Sequence, residues 1–202
     1  MDWSKIVDDE SIVQTAKSLN ENGINAIIVN NGDEAKQKVL EIIPKSAEAF
    51  ALTSVTLDTL GISEEINNSG NYKSVRNMLN TMTSESQSDE KRRIASTPEW
   101  AIGSAHAVTK DGQLIVVSAT GSQLPAYSYG AANVIMVIGA QKIVNNLDEG
   151  FSRIYDYVLP LESERARKAY GVKGSAVNKI LIINKESANR ITVILVKEAL
   201  GF

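Results

Sequence analysis

Hydrophobic residues follow two alternating spacings along the first sixty residues. Between residues 10 and 22 they recur at Ile12, Ala16 and Leu19, which predicts a helix that ends near Gly23. The run from Ile24 to Val29 favours a strand. The pattern then repeats and predicts a helix opening at residues 31–33, a strand over 49–52 and a helix over 55–60. Helices placed between successive strands are typical of a parallel sheet with covering helices.

The pattern is weaker over residues 63–98. Asn68 to Asn71 is rich in turn-forming residues, and the stretch from Thr83 to Arg93 is polar and charged. We expect an exposed helix over 86–97 that ends before Pro98. A linker between two domains would also fit, but a helical excursion at 63–98 within a single domain over 1–202 is the commoner arrangement.

Strand-like runs return after residue 99. Two of them flank Asp111-Gly112, a dipeptide typical of tight hairpin turns, so we expect a β-hairpin around 105–117. The run from Asn133 to Ile138 is the most apolar and is expected at the centre of the sheet. Further expected elements are a strand at 100–103, a helix capped by Asn146, a helix started by Pro160, and strands at 179–183 and 191–196 on either side of residues 185–189.

Composition removes several classes of chemistry. The 202 residues include no cysteine and a single histidine, which excludes disulfides, cysteine nucleophiles and thiolate ligation of iron–sulfur clusters, and leaves little material for histidine-rich metal sites. The net charge of −3 argues against a nucleic-acid partner. The N-terminal residues resemble no signal peptide, and no apolar run is long enough to cross a membrane, so a cytoplasmic protein is expected.

Three predicted turns carry polar groups suited to a small anion. In open α/β sheets ligands bind at the carboxyl ends of strands, where helix N-termini and loop amides meet them. The first turn presents Ser54 and Thr56, the second is Thr120-Gly121-Ser122-Gln123, and the third ends in Lys142. Each also has a purely structural interpretation, because Ser54 and Ser122 are suitable helix caps and most lysines are simply solvated.

Catalytic groups are harder to identify. Lys142 would neutralise an anion, or act as a base if desolvation lowered its pKa. Asp111 is a second, weak acid–base candidate, although it suits a hairpin turn equally well. His106 fits a structural histidine better than a lone general base. No Walker A motif, GxGxxG motif, Ser-His-Asp set or metal-ligand cluster is present in the sequence.

Several segments in order resemble the LUD family, the lactate-utilisation proteins of the LutC/YkgG-like type. The segments that carry the resemblance are Ser54–Leu57, Gly70–Tyr72, Ala107–Leu114, Ser118–Leu124, Val137–Val144, Asn146–Glu149, Arg190–Val196 and Leu200–Phe202. They span most of the chain. The resemblance implies a NagB/RpiA/CoA-transferase-like fold, that is, a Rossmann-like, mostly parallel sheet covered by helices.

The resemblance also implies a function. It links the chain to the oxidation of lactate or a related 2-hydroxy acid, as an accessory subunit beside an iron–sulfur partner, with homo-oligomers also possible. Members of the family often carry cysteines near the segment that is 172–178 in this sequence. This chain has no cysteine there, so we expect no iron–sulfur cluster in this chain. Leu52 and Thr53 replace the glycines expected before Ser54. An alternative is an enzyme of the sugar-phosphate isomerase or acyl-transfer type, but fold alone does not transfer that activity.

Overall fold

The computed structural model describes residues 2–187 and 189–202. Its helices are α1 (Asp9–Glu21), α2 (Gly32–Ile42), α3 (Val55–Thr59), α4 (Ile62–Asn68), α5 (Val75–Thr81), α6 (Ser88–Ser96), α7 (Leu147–Arg153) and α8 (Leu159–Tyr170). Its strands are β1 (Asn25–Val29), β2 (Glu48–Ala51), β3 (Lys73–Ser74), β4 (Trp100–Gly103), β5 (Ala107–Thr109), β6 (Leu114–Ser118), β7 (Asn133–Gly139), β8 (Ile143–Val144), β9 (Lys179–Ile183) and β10 (Ile191–Val196).

Six parallel strands form the larger sheet, in the order β1-β10-β7-β4-β2-β3. β7 lies inside this sheet and is the longest strand, which confirms its predicted central position. Its side chains alternate between two buried clusters, with Val134 and Met136 in one and Ile135 and Val137 in the other. The strand therefore needs apolar residues at every position, which is the signature of a strand buried on both faces.

A second sheet of four strands covers one face of the first, in the order β8-β5-β6-β9. β5 and β6 form the predicted hairpin, and Gly112 occupies the left-handed region at its turn with a φ of 79°. β9 pairs antiparallel with β6, whereas β10 joins the larger sheet between β1 and β7. The two strands predicted around residues 185–189 thus belong to different sheets; within that loop, Ala188 lies outside the described residues.

The buried side chains show how the two sheets and the helices stack in layers. Apolar residues of α2, α3 and α4 pack on one face of the larger sheet, and α1 packs with the second sheet on the other. The outer face of the second sheet buries Ala107, Ile115 and Val117 in a cluster with Ile154, which follows α7. A buried side chain of this kind contributes about 1.5–3 kcal/mol. The second sheet is therefore sandwiched between the larger sheet and the α7–α8 region.

Residues 63–98 are mostly helical, as expected, but they also add an edge to the sheet. α4 and α5 flank the two-residue strand β3, which pairs with β2. A single 3-10 turn at Glu85–Gln87 precedes α6. This segment places α5 next to the carboxyl end of β2, where Arg76 on α5 donates a hydrogen bond to the carbonyl of Ala51.

α7 and α8 are joined without a loop by a π-helical turn at Ile154–Val158. Asn146 caps α7 as predicted, accepting from the amide of Glu149 at 3.0 Å. Pro160 lies in the first turn of α8, also as predicted. The π turn adds a residue to the helical repeat there, and such turns are often found at functional sites.

Candidate functional site

A cavity of about 750 Å³ lies at the carboxyl ends of β2 and β4, next to the residues that follow β7. Residues after β6, the π turn, α8 and the segment 172–178 complete its walls. The three turns singled out in the sequence meet here. The predicted site residues that line the cavity are Ser54, Thr56, Thr120, Ser122, Gln123 and Lys142.

Lys142 is the central group of this site. It ends a short 3-10 turn, Ala140–Lys142, that follows β7, and only 2% of its surface is exposed. Its Nζ donates hydrogen bonds to Thr56 Oγ1 at 3.0 Å and to Ser104 Oγ at 3.1 Å. Both acceptors are neutral hydroxyls: Thr56 lies in the first turn of α3, which follows β2, and Ser104 directly follows the neighbouring strand β4. Lys142 therefore lies at the meeting point of three strand ends.

The charge of Lys142 is poorly compensated. Within residues 2–187 and 189–202 it forms no ion pair with a carboxylate. Burial, and then the charge of Arg153, lower the pKa of Lys142 from 10.5 to about 7. Near neutral pH the side chain is therefore divided between ammonium and free amine, and a nearby anion would favour the ammonium form.

The turn between β2 and α3 holds Thr56 in place. Ser54 caps α3 by accepting from the amide of Leu57 at 3.4 Å, so its structural interpretation is confirmed, while it also lines the cavity. Thr56 is buried and donates its hydroxyl hydrogen to the carbonyl of Leu200 at 3.2 Å. With that hydrogen committed, Thr56 Oγ1 is left as an acceptor for Lys142.

The last residues of the chain pack against this turn. Gln141 Nε2 donates to the carbonyls of Leu200 at 2.9 Å and Gly201 at 3.3 Å. Gly201 has a φ of 63°, and a Cβ added there would lie 2.6 Å from Thr56 Oγ1. Only glycine fits this approach without strain. Sequence reasoning assigned no role to Gln141, Gly201 or Ser104, since their importance arises from contacts between distant segments.

His106 forms part of the wall and stays neutral. Its Nδ1 accepts from the amide of Val117 at 3.2 Å, which places the remaining ring hydrogen on Nε2. Burial, Lys142 and Arg153 lower the pKa of His106 from 6.5 to about 3. The prediction that His106 is a structural histidine agrees with this arrangement, and its neutral ring cannot supply a second positive charge.

Arg153 is a second buried cation, at the end of α7 and immediately before the π turn. It is fully buried, donates to the carbonyl of His106, and lies 5.4 Å from the ring centre of Tyr157. Its Nε and Nη2 have no hydrogen-bond partner among the described residues. Burial lowers its pKa to about 10, so it remains charged at neutral pH.

Arg76 adds a third positive charge, at the other side of the β2–α3 turn. Its Nη2 donates to the carbonyl of Ala51 at 3.2 Å and to Thr53 Oγ1 at 3.3 Å, and its guanidinium stacks 4.9 Å from the ring centre of Phe50. Burial lowers its pKa. The sequence analysis did not predict a role for Arg76. This residue lies on α5, within residues 63–98, where the hydrophobic pattern was too weak to place a helix against the sheet.

The Thr120–Gln123 turn lines the cavity, and two of its amides already have side-chain partners. The amide of Gly121 donates to Ser118 Oγ at 2.8 Å, and that of Ser122 donates to Thr120 Oγ1 at 3.3 Å. These two amides are therefore occupied, and the anion-binding role expected for this turn stays a prediction. Ser122 also caps no helix, since the segment after it forms a π-helical turn at Ala126–Gly130 with no side-chain cap.

Gly121 and Asp111 do not line the cavity. Gly121 has a φ of 83° and shapes the turn from behind, against Lys179. Asp111 is exposed in the hairpin turn, where its carbonyl accepts from Asn22 Nδ2 at 2.8 Å. The interpretation of Asp111 as a turn residue fits this position, and the structure does not bring it together with Lys142.

Two searches for other chemistry gave negative results over the described part of the chain. Residues 2–187 and 189–202 contain no group of three or more histidine, aspartate or glutamate side chains arranged to hold a metal ion. None of the described helices is long and apolar enough to span a bilayer.

The fold and the site together define an α/β protein of the Rossmann-like type with a buried lysine at the carboxyl edge of its parallel sheet. The chain belongs to the LUD domain family, whose model matches residues 12–196. It is also similar to the crystal structure of a DUF162 family protein from Deinococcus radiodurans, with a TM-score of 0.59 and 11% sequence identity over 95% of this chain and 99% of that one. At this identity the likeness shows the fold alone. No curated protein matches the chain.

Proposed function

We propose that this protein binds a small anionic metabolite in the cavity, with Lys142 as the charged anchor. The observation that carries the proposal is the position of the Lys142 ammonium. It is 2% exposed, has among the described residues only the hydroxyls of Thr56 and Ser104 as partners, and borders a cavity of about 750 Å³. A buried cation without a counter-ion is unfavourable, so an anion that reaches it gains more than it would at the surface.

Surrounding groups favour a carboxylate or a phosphate. Arg76 contributes a second positive charge near the same turn, and Ser104 and Thr56 add hydroxyls beside Lys142. Arg153 contributes to the positive potential from behind the His106 wall. Because the low dielectric of the site strengthens each of these interactions, the pKa of Lys142 should rise when the anion binds.

The family supports a metabolic setting. We propose that the chain is an accessory protein in the use of lactate or a related 2-hydroxy acid, and that it works beside an iron–sulfur partner. Affinity purification of the tagged protein from its native host tests this. Co-purification of a protein with the visible absorption of an iron–sulfur cluster would support the proposal, and repeated recovery of the chain alone under gentle conditions would count against it.

An enzymatic function is the second candidate, and the lowered pKa of Lys142 favours it. A free amine at neutral pH can remove a proton from a substrate, as an isomerase or an acyl-transfer enzyme requires. This candidate predicts turnover that rises with pH, is half-maximal near pH 7 and reaches a plateau about one pH unit higher. Activity retained in Lys142→Met would refute this candidate, because turnover requires the catalytic base.

Calorimetric titration tests the binding proposal directly. The panel is lactate, pyruvate, inorganic phosphate and glycerol phosphate, titrated at pH 6.5 into the wild type, Lys142→Met and Lys45→Met. Lys45 is exposed and lies outside the cavity, so it controls for the loss of one positive charge. We expect at least one anion to bind the wild type and Lys45→Met equally, and Lys142→Met about tenfold or more weakly. No binding across the panel would contradict the proposal.

A further inference from the structure

The cavity is much larger than lactate or pyruvate. Each of these anions has six heavy atoms, which fill about 180 Å³ even if every atom takes the ~30 Å³ of a water molecule in the liquid. The cavity volume of about 750 Å³ is several times greater and falls within the range of sites for larger metabolites. An anion bound to Lys142 would thus leave most of the walls without a contact.

Much of the remaining wall is apolar. We define the apolar wall as Leu79, Leu159, Val172 and Val177, which all line the cavity and are all at least partly exposed. Leu159 follows the π turn directly, so the extra residue of that turn sets its direction. Val172 is 46% exposed. Neither Leu159 nor Val172 packs against a hydrophobic cluster of the described core.

The cations at the cavity differ in whether a carboxylate already pairs with them. Lys142 and Arg76 both contact the β2–α3 turn, through Thr56 and Thr53, and neither pairs with a carboxylate of the described residues. On α8, Arg165 makes two hydrogen bonds of 2.7 Å to Glu162, so its charge is neutralised beside the apolar wall. The unpaired cations therefore suit a negative group, and the apolar wall, whose Leu79 lies one turn from Arg76 on α5, suits an uncharged body next to it.

We propose that the ligand of this site is an amphipathic anion: a carboxylate or phosphate head held by Lys142 and Arg76, joined to an apolar body that covers the apolar wall. This inference rests on the proposed anion-binding function and specifies its ligand class. Lactate and pyruvate contain the head and lack the body. They would bind weakly, because they leave Leu159 and Val172 in contact with water.

A chain-length series of straight carboxylates tests the proposal. Acetate, butyrate and octanoate carry the same head at pH 6.5 and differ only in apolar length. Full burial of one methylene strengthens binding about fourfold, so with partial burial we expect octanoate to bind at least about tenfold more tightly than butyrate. An affinity that does not increase with length would overturn the inference.

Variants separate the two halves of the site. The double variant Leu159→Gln, Val172→Gln should weaken octanoate at least about fivefold and leave acetate nearly unchanged. Val13→Gln is the matched control, because Val13 is 57% exposed on α1 and outside the cavity. Lys142→Met should lower the affinities for butyrate and octanoate by the same factor. An octanoate affinity that is the same in Lys142→Met and the wild type would refute the shared site.

The series also distinguishes this inference from the function on which it rests. If all three carboxylates bind with equal affinity and all depend on Lys142, the anion site stands and the apolar body is refuted. If neither the carboxylates nor inorganic phosphate binds, both proposals fail. Circular dichroism of each variant, compared with the wild type, confirms that lost binding does not reflect lost folding.

Discussion

Replacing Lys142 with methionine should change how the stability of the protein depends on pH. The pKa of Lys142 is lowered from 10.5 in the unfolded chain to about 7 in the folded protein. Between these two values the unfolded state binds a proton that the folded state lacks, so the stability rises with pH. At about 1.4 kcal/mol per pKa unit, this contribution amounts to about 3 kcal/mol between pH 6 and pH 9.5.

Urea denaturation of the wild type and Lys142→Met at a series of pH values measures this term. Methionine is similar in length and does not titrate, so the free energy of unfolding of the wild type should gain about 3 kcal/mol relative to the variant over that range. Lys45→Met, which alters an exposed lysine, should run parallel to the wild type. A wild-type curve parallel to that of Lys142→Met would mean that Lys142 keeps an ordinary pKa, and the reasoning about its burial would be wrong.

Two further predictions concern residues around Lys142. His106→Asn retains an acceptor for the amide of Val117 but removes a group whose pKa falls from 6.5 in the unfolded chain to about 3 in the folded protein. Between pH 7 and pH 4.5 the variant should therefore lose about 2.5 kcal/mol less stability than the wild type, measured by urea denaturation. Equal losses in the two proteins would contradict this. Gly201→Ala should lower stability by about 1–2 kcal/mol and weaken anion binding, because its Cβ would lie 2.6 Å from Thr56 Oγ1. Gly171→Ala is the control for backbone strain alone, since its φ is 65° with no atom within 4 Å of the added Cβ, and it should leave anion affinity unchanged.

Local signals in the sequence were sufficient for much of the fold. The apolar run of β7, the caps at Ser54 and Asn146 and the Asp-Gly turn of the hairpin each depend on neighbouring residues, and each is found where predicted. The division into two sheets was not predictable in this way. β8 is only two residues long, and it pairs with β5, which lies 35 residues earlier in the chain. β9 and β10 have similar patterns, yet pairing with distant strands places them in different sheets.

The candidate site was predictable in part for a similar reason. Parallel strands place their carboxyl ends at one edge, so Ser54, Thr56 and Lys142 were expected to meet. The burial of Lys142 depends on segments that approach from elsewhere, including residues 104 and 200–201, and no local pattern reveals it. The roles of Arg76 and Arg153 depend on tertiary contacts as well. In Thr120–Gln123, a motif suited to anion binding, the amides of Gly121 and Ser122 donate to the nearby hydroxyls of Ser118 and Thr120, and the sequence pattern did not indicate these local bonds.

Proton uptake on ligand binding tests the central claim most directly. At pH 8 a lysine with a pKa of about 7 is mostly neutral, so an anion that binds to the ammonium form must bring a proton with it. Calorimetric titration of octanoate in buffers of different ionisation enthalpy counts that proton. The account predicts uptake of nearly one proton per site in the wild type and none in Lys142→Met. Binding of the anion to the wild type without proton uptake would contradict the assignment of Lys142 as the charged anchor.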